Sequence, residues 1–341
     1  MSRLREMGIT IGDFSPGLQN AIVDVQGVSV GHADVRSEDV NTGITAVVPY
    51  PNDIAERKYF IGRFAVDSGD AMSGLGVAED FGTFSSPIVL APAPVVGRVY
   101  EAMIRYGLER DPGLGTETGW PPVLVGVDDT LHNDVAATYR QLTQAHAQQA
   151  LDDARMGKMG IGDVGIGSGL QAFGYQGGLG TASRLVGDYT TGILLAVNGG
   201  RAGTLRIGGY ALPVGSEADG PENFAAVIAT DAPLIPRQLD RLASRAALGL
   251  AAAGLWGPYT REGLLLAFST TGILQQDNER PTTDVLSVAE EELYPLFASV
   301  ACAAEEAVLD ALLATGADGR FRALSQAGWP EAMRALQREV K

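Results

Sequence analysis

Side chains able to do chemistry are scarce in this sequence. The histidines are His32, His132 and His146, and the only cysteine is Cys302. The histidines do not form the paired HExxH arrangement of a zinc hydrolase, which would have to gather carboxylates from distant places. A Ser-His-Asp triad has few histidines to choose from. Cys302 lies in the apolar helical stripe "LFASVACAAEEAVLDALL", where a buried structural thiol is expected rather than a nucleophile. A single cysteine forms no intrachain disulfide. The glycine-rich run from Gly160 to Arg184 contains Gly165-Ile166-Gly167, but further glycines follow at 174, 177, 178 and 180. A dinucleotide-binding loop must instead pass straight into a helix, and the GKS or GKT ending of a phosphate loop is missing. Glycines this dense let backbones approach each other, or a ligand, closely.

The elements around these residues follow from the apolar pattern. Short runs at Ile44–Val48, Pro87–Leu90, Val123–Val127, Ile193–Val197, Ala225–Ala229 and Leu264–Phe268 are expected as buried strands. Helical spacing marks Val95 to Glu109, Pro236 to Ala253 and about Val288 to Ala314, and "DVAATYRQLTQAHAQQALDDA" around His146 also reads as helical. Pro236 in a first turn and Gly254 just past a last one are the expected punctuation. Strands alternating irregularly with helices favour layered sheets and helices, an α/β (α+β) fold, over a bundle. No linker or internal repeat divides residues 1–341, so a single domain is expected. Residues 213–223, "PVGSEADGPEN", are polar and turn-rich and read as an exposed loop.

Composition narrows the class. With 45% hydrophobic and 19% charged residues in 341, the chain is globular in type. A formal charge of −16 repels phosphate backbones and anionic lipid, so neither nucleic acid nor membrane is an expected partner. No apolar run approaches the roughly 18 residues of a membrane span. The start, "MSRLREMGIT", has no apolar signal core, so a cytoplasmic location is expected.

Five blocks in order carry a resemblance: "GLQNAIVDVQGVSVGHADV" with "NTGITAVVPYP", then "GSGLQAFGYQGGLGTASR", "NGGRAGTLRIGGYALPVG", "VIATDAPLIPRQLDRLASRAALGL" and "LLLAFST". Together they resemble the DmpA-like family of L-aminopeptidase/D-esterase enzymes, the P1 or S58 peptidases, from about Asn20 to about Ala314. The resemblance implies a four-layer αββα sandwich of DmpA/ornithine acetyltransferase type. It also implies hydrolase chemistry on small amides, esters or short peptides, a homotetramer, and no cofactor or metal. Members cleave themselves ahead of a Ser or Thr, which becomes an N-terminal nucleophile whose own α-amino group serves as base.

Carried over residue by residue, the resemblance implies the following. Asn198, in "LLAVNGG", matches the asparagine whose amide serves an oxyanion hole; an Asn there can also simply cap a strand-end turn. Ser269, in "AFSTTG", matches a serine that hydrogen-bonds the nucleophile; alone, a serine at a strand end is usually a turn residue. Asp128 falls where some members have a pocket tyrosine and either receives a substrate ammonium or starts a turn with Asp129. Asn133 and Gly199 complete the expected substrate-binding set. Gly177, Gly178 and Gly180 match the family pattern but read as backbone geometry. At the nucleophile position stands Asn223, preceded by Glu222 where the family has Gly or Asn. A carboxamide can neither start the N-to-O acyl shift nor attack as an alkoxide, so an uncleaved chain is expected. Ser216 and Thr230 are the nearest hydroxyls, and neither matches the motif. The implied function is amide and ester acyl chemistry, including acyl transfer or cyclisation with a nucleophile supplied by the substrate. The alternative is a non-catalytic binding relative.

Overall fold

The computed structural model describes residues 3–50, 57–67, 72–114, 120–212, 222–255, 260–275, 282–316 and 323–324. Most of the loop expected at 213–223 lies outside them. Its last two residues begin a strand instead, and Asn223 is buried.

Two sheets lie face to face. The first has the order β1 (Val28–Arg36), β2 (Asn41–Pro49), β6 (Ile88–Pro92), β7 (Val123–Val127) and β4 (Met72–Ser73). The second runs β10 (Gly178–Val186), β11 (Tyr189–Val197), β14 (Glu222–Thr230), β15 (Thr260–Gln275), β3 (Arg57–Asp67) and β5 (Thr83–Phe84). Two small hairpins, β8 (Gln171–Ala172) with β9 (Tyr175–Gln176) and β12 (Arg206–Ile207) with β13 (Tyr210–Ala211), sit outside the sheets. All six strands expected from apolar runs are present. The apolar character follows from burial on both faces of the central strands.

One apolar core fills the space between the sheets, with Val30, Val47 and Leu90 from the first meeting Leu194, Val227 and Leu266 from the second. A second core joins the outer face of the first sheet to helices α2 (Val96–Arg110) and α4 (Gln144–Asp152), and a third joins the second sheet to α5 (Pro236–Ala252) and α6 (Leu293–Ala314). The layers are therefore αββα. Two short helices, α1 (Leu75–Phe81) and α3 (Val135–Gln141), lie at the periphery. The helical stretch around His146 is two helices rather than one. The chain breaks at Leu142–Thr143, where His146 Nδ1 accepts the Thr143 amide at 3.1 Å and caps α4.

Gly180 explains part of the glycine-rich run. A Cβ at this position of β10 would stand 1.9 Å from the Ala307 carbonyl of α6, so the helix rests directly on strand backbone. Gly254, at φ +95°, ends α5 as its position required.

Charge is also buried in the α6 layer. Glu306 and Asp310, one turn apart on α6, hold the N-terminal segment and β10. Arg184 reaches Glu306 at 2.6 Å with both side chains fully buried, Arg5 meets Glu306 at 2.9 Å, and Arg3 meets Asp310 at 2.7 Å. Asn20 adds a hydrogen bond to Glu306 at 2.5 Å. Burial pushes the Asp310 carboxyl above its ordinary range, against the pull of Arg3. Cys302 lies beside this cluster, half-buried rather than fully buried, and burial raises its thiol further from the thiolate.

Candidate active site

Asn198 follows the last residue of β11, and Asn223 is the second residue of β14, the strand paired with it. The two are joined through the main chain: the Asn223 amide donates to the Asn198 carbonyl at 3.4 Å. Across the other edge of β14, the parallel strand β15 places Glu262 opposite Asn223.

The Asn198 side chain is half-buried and oriented by two backbone groups. Its Oδ1 accepts the Gln171 amide at 3.2 Å, and its Nδ2 donates to the Asp128 carbonyl at 2.7 Å. A backbone N–H can only donate and a carbonyl can only accept, so the amide has one orientation. A carboxamide nitrogen carries two hydrogens. One is committed to the Asp128 carbonyl, and the second is not engaged by that bond. Gly199 secures the turn, its amide donating to the Gln171 carbonyl at 2.6 Å and its carbonyl accepting from Phe173 at 2.9 Å.

The Asp128 carbonyl is presented by a turn that follows β7. Asp129 is buried; its carbonyl accepts the amides of His132 and Asn133, and its Oδ2 accepts Asn133 Nδ2 at 3.1 Å. Asn133 Oδ1 in turn accepts the Asn41 amide at 2.7 Å, tying the turn to the start of β2. His132 Nε2 lies 3.0 Å from Gln171 Oε1, which makes a second link between the turn and the groups holding Asn198. Burial pushes the Asp129 carboxyl up to about 6, against the opposing effects of the Thr42 and Asn133 side chains. Asp128 is half-exposed, and its Oδ1 accepts the amide and hydroxyl of Thr130 at 2.9 and 2.5 Å. Of the two expectations for Asp128, the turn is the one these contacts show. Asn133, in contrast, is buried and spends its amide inside the protein, so it supports the turn rather than meeting a substrate.

Ser269 does not join this group. In the register of β14 and β15, Asn223 pairs with Glu262 while Thr230 pairs with Ser269. Seven strand residues separate the two levels, roughly 23 Å at the rise of an extended chain. Ser269 is fully buried; its Oγ donates to the Ala232 carbonyl at 2.7 Å and accepts the Gly272 amide at 2.7 Å. It satisfies backbone groups where β15 loses register with β3, between Phe268 and Ile273. The expectation that Ser269 bonds the residue at the nucleophile position is therefore corrected: the turn role is the one it has. Thr230 is likewise fully buried, with its hydroxyl given to the Thr190 carbonyl at 2.9 Å, which removes it as a nucleophile. Ser216 lies outside the described residues.

Peptidase family S58 matches residues 20–321. The chain belongs to peptidase family S58. It is 32% identical to the β-peptidyl aminopeptidase BapA of Sphingosinicella xenopeptidilytica over 92% of this chain and 85% of that one. Its fold superposes on the PH0078 protein of Pyrococcus horikoshii OT3 with a TM-score of 0.90, at 31% identity and covering 98% of this chain and 99% of that one. It also superposes on the L-aminopeptidase D-Ala-esterase/amidase of Ochrobactrum anthropi with a TM-score of 0.89, at 29% identity, covering 100% and 99%. That enzyme is described as a prototype for the serine aminopeptidases and a variant of the Ntn-hydrolase fold. The S58 membership and the layered fold expected from the sequence both hold.

Gln171 is the supporting residue that the sequence does not single out, and the contacts of His132 and Asp129 emerge only in the fold. Gln171 acts through its backbone amide, which no residue type signals. Among the described residues, no three His, Cys, Asp or Glu side chains come together in a way that could hold a metal. No helix among them is long and apolar enough to cross a membrane. A cleft of about 540 Å³ between β3, α1 and α5 shares no residue with this site, and its Arg63 and Arg241 are paired with Glu79 and Glu290.

Proposed function

We propose that this S58 protein carries out amide or ester acyl chemistry as an uncleaved chain, at the site formed by Asn198, Asn223 and the turn at Asp128. The observation that carries this reading is the Asn198 amide, fixed by two backbone hydrogen bonds with one N–H left for an oxyanion. A pre-oriented donor of this kind contributes roughly 3–4 kcal/mol to a developing oxyanion. The main-chain carbonyl of Asp128 accepts from that donor at 2.7 Å, and the half-exposed carboxylate of the same residue suits a substrate with a free ammonium group. Its relative BapA is named as a β-peptidyl aminopeptidase, which points the same way. The substrates are small amides, esters or short peptides. The chain works in the cytoplasm as a homo-oligomer, a tetramer by its resemblance to the family.

Asn223 supplies no nucleophile. The attacking group then comes from the substrate or a second substrate, in an acyl transfer or cyclisation, where holding both reactants together can replace much of the activation that a protein nucleophile would give. A panel of aminoacyl esters, aminoacyl amides and short β-peptides, offered with and without an amine acceptor, tests this reading. Turnover that rises with the acceptor and falls in Asn198→Ala supports it. A folded protein that leaves every member of the panel untouched establishes the second reading, a binding relative without catalysis, which the carboxamide at Asn223 favours.

A further inference from the structure

Both hydrogen bonds that orient the Asn198 amide lead back to one turn. Asp128 accepts directly from Nδ2, while Gln171, whose amide donates to Oδ1, is held from the turn by His132. The turn is in turn built around Asp129. Its carbonyl accepts two amides of the turn, and its carboxylate takes the side-chain amide of Asn133, the residue that anchors the turn to β2. Asp129 itself is only 2% exposed. Its Oδ1 has no hydrogen-bond partner, and the fully buried Thr42 hydroxyl stands beside it, near enough to favour the charge but outside hydrogen-bond geometry.

A buried carboxylate held this incompletely is costly to ionise. An ionised carboxylate grips an amide N–H about twice as strongly as a neutral acceptor does. Losing the charge therefore weakens the Asn133 bond and, with it, the tie between the turn and β2. We infer that Asp129 is a positioning residue for Asn198, and that its ionised form holds the turn in the geometry that aims the Asn198 amide.

This rests on the reading of Asn198 as the oxyanion donor, but the coupling itself can be observed without any reaction. Asp128 is the charged group that faces the Asp129 carboxyl, and His132 is the other ionisable side chain of the turn; Thr42 of β2 is neutral. Because burial brings the carboxyl to about 6, the change falls in an accessible pH range.

The test follows the Asn198 side-chain NH₂ resonances in protein labelled with ¹⁵N-asparagine, assigned with Asn198→Ala, from about pH 4.5 to 8. In the wild type they are expected to shift with the midpoint of the Asp129 carboxyl carbon. In Asp129→Asn, which keeps the size and can still accept from Asn133, they should stay at one pH-independent position near the acidic limit of the wild type. His132→Asn should leave the wild-type midpoint in place. With a turned-over substrate, Asp129→Asn should lose about tenfold in kcat at pH 8 with KM changed less than threefold, and match the wild type near pH 5. Wild-type Asn198 resonances that ignore the Asp129 titration overturn the inference, and this requires no variant to fold. Coupled resonances without turnover in any form leave the inference standing and sink the acyl-chemistry reading instead.

Discussion

The main-chain amide of Asn223 donates to the carbonyl of Asn198 at 3.4 Å, so these two residues share one end of the β11–β14 pair. Asn198 is the proposed oxyanion donor of this site, and Asn223 brings it no hydroxyl. Asn198→Ala removes the donor while leaving the turn carbonyl of Asp128 to find water. Turnover should fall about 10²–10³-fold with KM little changed, as for other oxyanion donors. Steady-state kinetics on the best substrate of the panel checks it, and a loss below about threefold would take the Asn198 amide out of the chemistry.

Restoring the hydroxyl asks how much else has diverged. Asn223→Ser combined with Glu222→Gly should make the chain cleave itself between residues 222 and 223, giving two fragments on a denaturing gel within the time of purification. A folded double mutant that stays whole would show that the groups supporting self-cleavage are gone as well.

Ser269 belongs to stability. Ser269→Ala leaves the Gly272 amide without its buried acceptor at 2.7 Å. The cost should be about 1–3 kcal/mol, measured by urea unfolding, with turnover unchanged within a factor of two. Loss of turnover in a fully folded variant would return Ser269 to the active site.

The buried charges on α6 are predicted to be costly to break. Glu306→Gln leaves Arg184, fully buried, facing a neutral amide with Arg5 nearby. Breaking one partner of such a pair costs about 3–5 kcal/mol, so the urea midpoint should drop sharply. Asp310→Asn should cost less, because Arg3 is partly exposed and can reach solvent.

Asp129 also makes a stability prediction with a definite sign. Its carboxyl is raised from 3.8 to about 6 in the folded protein. Between those values the folded state holds a proton that the unfolded chain has released, so this group's contribution to stability falls as pH rises from about 4 to about 6, and its penalty is complete above that. Asp129→Asn removes the titration. Unfolding midpoints should show the variant gaining on the wild type through this window and keeping the gain at higher pH. A constant difference at every pH would place the Asp129 carboxyl at an ordinary value.

The strands and long helices were legible because burial on both faces writes continuous apolar runs, as in Val123–Val127, and because Pro236 and Gly254 mark the ends of α5. Strand β10 was not, since Gly178 and Gly180 are there to let α6 approach and they dilute the apolar signal. Asn198 and Asp128 were singled out in the sequence, and the structure joins them by the Asn198 Nδ2 bond to the Asp128 carbonyl. It was misread at Ser269 because motif order along a chain does not say which end of a strand a residue occupies; only the β14–β15 register does. Gln171 left no trace in the sequence, since its contribution to Asn198 is a backbone amide.

The intact mass of the purified protein decides whether the chain stays whole. An uncleaved chain that works without its own nucleophile predicts one species near 35.6 kDa. Two fragments meeting between residues 222 and 223 would contradict it and show that the chain processes itself with Asn223 in place.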